Sequence, residues 1–299
     1  MSKTKKPVGN NEASFWRWLL AVVCALFVGS IVGAVLTKIV EALPFLADGA
    51  YLAPERELLS GIASFAGIFL MFMVFVKVFC KTKLRDFLFG AGRKPDIKIT
   101  AYIGLIFILG FILSCFVDYS YTSFECDDVI LWLINLVVCL AFLWIQTTTE
   151  EILFRGIFMR IFHGNEVPTL KKGIWPALIS SLVFMSLHLF NPEVTQRSGA
   201  EAVFVAVTYF ISGLCMYLPN LVVGGMEAGM LIHFLNNFMC FTVIRQEITV
   251  MPTPTLFVDH TTTDSGLMTL IMTLILYLPI LVFSLLVLMK RGKEEKGEK

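Results

Sequence analysis

The chain has 299 residues, 57% hydrophobic and 16% charged, with a formal net charge of +1. Soluble proteins carry about 25% charged residues. This composition and a mean hydropathy of +0.79 exclude an ordinary soluble domain, and the fold class expected is an all-α polytopic membrane protein. Residues 1–14 are polar and basic, with Lys3, Lys5 and Lys6, and read as a cytoplasmic tail. The apolar stretch 15–43 exceeds the 7–15 residues of a signal-peptide core and shows no cleavage site. It predicts a first transmembrane helix with Trp16 and Trp18 at the interface. Further spans, each near the ~20 residues that cross a ~30 Å hydrocarbon core, are predicted at 58–80, 97–117, 129–162, 174–191, 201–219, 224–245 and 267–289. That makes about eight helices. The fourth is longer than one crossing and is expected to be tilted, or broken into a spanning and an interfacial part. The seventh, near Pro219 and Gly224-Gly225, has the least defined boundary.

Lysine and arginine bias between connections sets orientation. The second connection carries Lys81, Lys83, Arg85, Arg93, Lys94 and Lys98, and the fourth Arg160, Lys171 and Lys172. The third has Asp118, Glu125, Asp127 and Asp128 without a cation, and the seventh has Glu247, Asp259 and Asp264 with Arg245 at its edge. The C-terminal tail carries Lys290, Arg291, Lys293, Lys296 and Lys299. Both termini are therefore expected in the cytoplasm. Cys24, Cys80, Cys115, Cys139, Cys215 and Cys240 lie in or beside apolar segments and read as packing residues; Cys126 sits in a loop. No basic cluster interleaves with aromatics, so no nucleic-acid partner is expected.

The most informative stretch is QTTTEEILFR, Gln146–Arg155. A charge at membrane depth costs ~2.5–3.5 kcal/mol on insertion scales and marks a functional site by default. On a helix, Gln146 precedes Glu150 by one turn, Thr147 precedes Glu151, and Arg155 follows Glu151. A Glu151–Arg155 pair could simply hold a bundle together, but Glu150 is then left without a partner. His188 lies in the fifth segment, one turn after Phe184. His233 and Asn237 share a face of the seventh, preceded by Gly224, Gly225 and Gly229, small residues that let helices approach. Each polar group alone reads equally well as helix–helix hydrogen bonding. Glu227, nearer the cytoplasmic interface, is a weaker candidate. The groups share a depth only if the fourth helix is centred near residue 150; otherwise a tilt, kink or wet cavity must reconcile them.

A buried carboxylate beside a second one can serve as general base for water. Histidine can orient that water or carry a proton, and imidazole or asparagine N–H groups can stabilise an oxyanion. The set fits amide hydrolysis without a covalent intermediate. Zinc is an alternative, because Glu and His are ligands, but HExxH is absent and no metal ligand is assigned. Ser180, Ser181 and Ser186 lack the GxSxG context of a serine nucleophile.

EEILFR matches the EExxxR motif of the CAAX protease and bacteriocin-processing family, also called CPBP or Abi. FMSLH matches its FxxxH motif and HFLNN its HxxxN motif, in the family's order. The chain resembles that family over about 145–240. The resemblance implies a helical intramembrane glutamate-type endopeptidase without a cofactor. Its catalytic residues would be Glu150, Glu151, His188, His233 and Asn237, supported by Arg155 and Phe184. Within that set Glu150 would activate water, His188 would position it, His233 and Asn237 would form the oxyanion hole, and Arg155 would fix the carboxylates. Core helices at 129–245 would be flanked by an N-terminal part, 1–128, and a C-terminal part, 246–299. The expected location is a bacterial cell membrane. The expected partners are the bilayer and a membrane-associated peptide or lipidated, including prenylated, protein. Type II CAAX prenyl endopeptidases in the family release a C-terminal tripeptide from prenylated proteins; other members mature peptides or confer bacteriocin immunity. A non-catalytic scaffold or immunity protein is the alternative of another class. A proton-coupled transporter would need inverted repeats or broken helices, and the sequence shows neither.

Overall fold

The computed structural model describes residues 14–47, 51–117, 122–164, 166–260 and 265–295. The basic N-terminal residues, Asp48, Asp118, Asp264, Lys296 and Lys299 lie outside them. In chain order the elements are α1 (Phe15–Glu41), α2 (Pro44–Ala47), α3 (Ala53–Phe75, prolonged by a π turn Val76–Cys80), α4 (Leu84–Phe89) and α5 (Ile97–Val117). Then follow β1 (Thr122–Phe124), α6 (Val129–Glu151), a π turn at Ile152–Gly156, α7 (Ile157–His163), α8 (Leu170–His188) and α9 (Pro192–Thr195). The chain continues through α10 (Gly199–Val223), α11 (Glu227–Thr242), β2 (Ile244–Gln246), β3 (Phe257–Asp259) and α12 (Gly266–Glu295).

The protein is an all-α polytopic membrane protein. Among the described residues, seven helices are long and apolar enough to cross a membrane. Seven of the eight expected spans are among them, while the predicted 224–245 becomes α11, a 16-residue helix. At 1.5 Å per residue it is about 24 Å long, short of the ~30 Å core. Its apolar stretch is interrupted by polar residues that face inward. The expected fourth span is a continuous helix, Val129–His163. It is neither cut into two parts nor uniform, because the π turn falls directly after Glu151. Pro219 does not end the sixth span; α10 runs on to Val223 and stops at Gly224, whose φ of +73° and N–H bond to the Asn220 carbonyl close it.

The lipid-facing surface is read on α1, where Phe27, Ile31, Val35 and Ile39 recur every four residues and are exposed. Trp16 is exposed as expected, but Trp18 is buried, tilted against Phe87 at 5.5 Å. Two residues on a helix turn through about 200°, so both cannot face the interface. α10 is the most enclosed span, with 50% of its apolar window buried against 17% for α6 and α12. Contacts fix the helix directions. Gly213 meets Ser181 and Gly173 meets Leu221, so α8 and α10 are antiparallel. Arg291 reaches the Leu221 and Val222 carbonyls, while the Gly266 N–H donates to Glu201, so α10 and α12 run in parallel. Among the described residues, no disulfide joins any of the cysteines.

A feature absent from the expected all-helical pattern is a three-stranded sheet of order β1-β3-β2, with β1 antiparallel and β2 parallel to β3. Strands of three residues are too short for a period-two signal. The sheet ties the connection before α6 to the connection after α11.

Candidate active site

The site begins where α6 turns from a lipid-facing to an enclosed helix. Val137 and Leu140 are exposed, whereas Thr147, Thr148, Thr149, Glu150 and Glu151 are all buried. Thr149 donates to the Ile145 carbonyl at 2.6 Å, satisfying its hydroxyl within the helix. The π turn follows at once. Such turns cluster at functional sites because they rotate the next side chains and disrupt the regular carbonyl pairing. Here the Phe154 carbonyl, within the turn, accepts a hydrogen bond from Ser180 of α8. That bond accounts for Ser180, and Ser181 bonds back to Ala177 at 2.7 Å.

Arg155 is the largest fully buried side chain. Its Nη1 lies 3.1 Å from Glu151 Oε1. Its guanidinium carbon sits 4.1 Å from the centre of the Phe184 ring, and Nη2 donates to Met216 Sδ at 3.3 Å. An opposite charge and an aromatic face together stabilise a cation that would be costly alone. Phe184 therefore acts as the platform of Arg155.

The adjacent carboxylates have different surroundings. Glu151 is inaccessible, and its Oε1 also accepts from His233 Nδ1 at 2.8 Å. It thus bridges Arg155 on its own helix to His233 on α11. Glu150 lines a cavity of about 300 Å³. Its Oε1 accepts from Gln146 Nε2 at 3.3 Å, and its Oε2 lies 3.7 Å from His233 Nε2. The close approach of α11 depends on Gly229. A Cβ there would stand 2.5 Å from the Met216 carbonyl oxygen and 2.8 Å from Glu151 Oε2.

His188 is the last residue of α8, which begins at Leu170 and stops three residues before the expected span would have ended. Its Nδ1 donates to the Phe184 carbonyl at 2.7 Å. A carbonyl only accepts, so a neutral His188 carries its lone pair on Nε2. The ring is held between Phe184, 4.1 Å away centroid to centroid, and Tyr209, 4.5 Å away.

Asn237 lines the same cavity. Asn236 donates through Nδ2 to Asn237 Oδ1 at 3.2 Å, and the Tyr277 hydroxyl donates to Asn236 Oδ1 at 2.8 Å. In this relay the carbonyl end of Asn237 is engaged by Asn236, which leaves its Nδ2 as the donor end. Glu150, Phe184, His188, His233 and Asn237 come together around one cavity, with Glu151 and Arg155 behind it. The cavity, which reaches from the middle of the α6 span to the end of α8, reconciles the depths that chain order alone left apart. Glu227 is not brought to the site; its Oε1 accepts from the Asp96 N–H at 2.9 Å at the opposite end of α11. Among the described residues, no three His, Cys, Asp or Glu side chains are arranged to hold a metal ion.

Tyr277, Tyr209, Asn236 and Asn220 are additions the motifs did not give. Asn220 Oδ1 accepts the Gly229 N–H at 2.7 Å and fixes α11 to α10. Tyr277 could have been flagged as a tyrosine in mid-span, away from the interface where tyrosine is usual. At the rim, His260 Nδ1 lies 3.0 Å from Glu247 Oε2 and its Nε2 lies 3.4 Å from Glu125 Oε1. The hydrogen bond to Glu247, with the charges of Glu247, Glu125 and Asp259, raises the His260 pKa above its usual value.

Comparison with known proteins gives a family match over the segment that holds the candidate site residues of α6, α8 and α11. The family model described as Type II CAAX prenyl endopeptidase Rce1-like matches residues 131–239. The curated protein described as "Uncharacterized protein YyaK", from Bacillus subtilis (strain 168), is 28% identical over 141 residues, 47% of this chain. The match spans only 44% of that relative's length. No solved structure matches the chain. The matched segment runs from the start of α6 through the HxxxN motif of α11 and holds every residue of the three motifs, so residues 131–239 match an Rce1-like domain.

Proposed function

We propose that this protein is an intramembrane endopeptidase that hydrolyses a peptide bond of a membrane-associated peptide or protein. The observation that carries this reading is the division of labour between two neighbouring carboxylates. Glu151 is locked between Arg155 and His233, while Glu150 faces the cavity opposite His233. A pair serving only to hold helices together would not leave a carboxylate facing a cavity.

In the reaction Glu150 takes a proton from water while the water oxygen bonds to the scissile carbonyl carbon. His188 Nε2 accepts from that water and orients it. The oxyanion of the tetrahedral intermediate is met by Asn237 Nδ2–H and by the Nε2–H of a doubly protonated His233, whose Nδ1–H is held by Glu151. As the C–N bond breaks, the proton held by Glu150 passes to the leaving amine. One water is consumed, and a carboxyl and an amino terminus form. All of these steps use residues of the chain itself.

The test compares peptides from the membranes and medium of cells carrying wild-type protein with those from cells carrying Glu150→Gln at equal abundance. A product that vanishes with the variant is expected, and it names the substrate. Identical peptide sets, with the deletion phenotype rescued by the variant, would replace the enzyme by a scaffold.

A further inference from the structure

We infer that the chamber opens on the extracytoplasmic face of the membrane, and that its substrate is a polypeptide segment on that side. This rests on the endopeptidase reading for the word substrate, but the sidedness stands on geometry and charge alone. Every long helix that reaches the cavity, apart from α6 and α10, does so only through the half nearest one end of the bundle, and α10 does so mainly there, through Val205, Thr208 and Tyr209, with Met216 deeper. α5 contributes its last turns with Ser114 and Cys115, α8 its final residue His188, and α12 its first half, from Thr269 to Tyr277. The rim is completed by Asn191 and Glu193 before α10 and by Gln246, Thr249 and Val250 after α11. Among the described residues, none of the connections 81–96 or 164–169 lines it.

The two ends differ in the cations that orient membrane proteins. Among the described residues, Lys38, Arg56, Arg197 and Arg245 are the cations at the cavity end. The other end holds Lys81, Lys83, Arg85, Arg93, Lys171 and Lys172, together with the basic end of α12. Excess lysine and arginine in short connections keeps that side in the cytoplasm. The same end is closed by packing. Arg93 donates to the Gly224 and Val223 carbonyls at 2.7 and 2.8 Å, Arg291 to those of Leu221 and Val222, and Arg160 to that of Phe87 at 2.7 Å. A polypeptide on the cytoplasmic side meets these arginines and the buried Phe87, Met226 and Leu221 before it could reach Glu150. The C-terminus of a cytoplasmic prenylated protein therefore does not fit the access route, whereas an exported peptide or the outer segment of a membrane protein does.

The experiment uses the full chain in intact cells with Cys126→Ser as background, since that thiol lies in an outer connection. Val250→Cys at the rim and Lys172→Cys at the basic end are exposed to a membrane-impermeant maleimide. Val250→Cys should label fully on intact cells, and Lys172→Cys only after the membrane is opened. The reverse pattern would overturn the inference and leave the protease reading untouched. Conversely, if labelling is as stated but Glu150→Gln processes every peptide normally, the hydrolase reading falls and the sidedness stands. As a second arm, the bonds cut by wild type and spared by Glu150→Gln should map to extracytoplasmic segments. Cuts confined to cytoplasmic segments would overturn the inference even if Val250→Cys labels.

Discussion

The two ends of the bundle solve opposite problems with the same kind of material. At the basic end, arginines from three separate segments, Arg93, Arg160 and Arg291, fill carbonyls that helix termini leave unpaired. At the acidic end, helices stop early, three short strands bridge two connections, and a cavity remains between them. Guanidinium groups supply several donors in a fixed plane, so a few of them can close an end without a thick layer of chain. The end that must stay accessible is built from loops and hydroxyl, amide and carboxylate side chains that tolerate water. The candidate site groups sit at the boundary between the two regimes: Arg155, Glu151 and the Phe184 ring belong to the sealed part, Glu150 and His188 to the open one.

This contrast is most severely broken by removing the cation that holds the sealed part. Arg155→Leu leaves Glu151 with His233 alone, and losing one partner of a fully buried ion pair costs ~3–5 kcal/mol. A large fall in the melting temperature of the detergent-solubilised protein is expected; an unchanged value would mean that Arg155 stabilises nothing. On the open side, Asn237→Ala should lower kcat by ~10²–10³-fold, the loss seen when one oxyanion-hole donor is removed, while the melting temperature stays close to wild type. A fall in both would move Asn237 to the sealed part. Tyr277→Phe sharpens the comparison further, since it removes one hydrogen bond worth ~0.5–1.5 kcal/mol. If Tyr277 orients Asn237 through Asn236, kcat should drop by about two- to tenfold with KM unchanged. A change confined to KM would assign Tyr277 to substrate contact instead.

The smallest effect is at the rim. His260 joins Glu125 of one connection to Glu247 of the other, and its folded pKa is raised. A raised cation pKa contributes stability fully below the unfolded value of about 6.5, and that contribution is lost as pH rises through the folded value. The link is partly exposed and screened, so the global melting temperature should barely move. Amide exchange of β1 and β3 should instead quicken as pH rises above about 6.5 beyond the intrinsic base-catalysed rate, and His260→Gln should abolish that excess. Equal excess in the variant would contradict the link.

The sequence carried the sealed helices well because lipid-facing helices announce themselves by long apolar runs, as the match of 97–117 to α5 illustrates. The motifs were legible for a related reason: charges at membrane depth are rare enough to be noticed one by one. What the sequence hid were features with no periodic signature. The π turn after Glu151 has the same composition as an α-helix around it. The three short strands are below the length that alternation can reveal. Trp18 and Trp16 look alike until the helix is placed against Phe87. Asn236 stood beside a motif residue yet drew no role, because its importance comes from Tyr277, 41 residues away in the chain. α11 passed for a full span because the apolar residues flanking it continue the hydropathy past its ends.

The central claim is that Glu150 activates water while Glu151 only holds His233 and Arg155. It is tested most directly by the turnover of purified protein in bilayers, on the peptide found in the cell comparison, with Glu150→Gln beside wild type. The account predicts a fall in kcat of ~10²–10⁴-fold, the contribution of a general base, at an unchanged melting temperature. Turnover at the wild-type rate by the folded variant would contradict it.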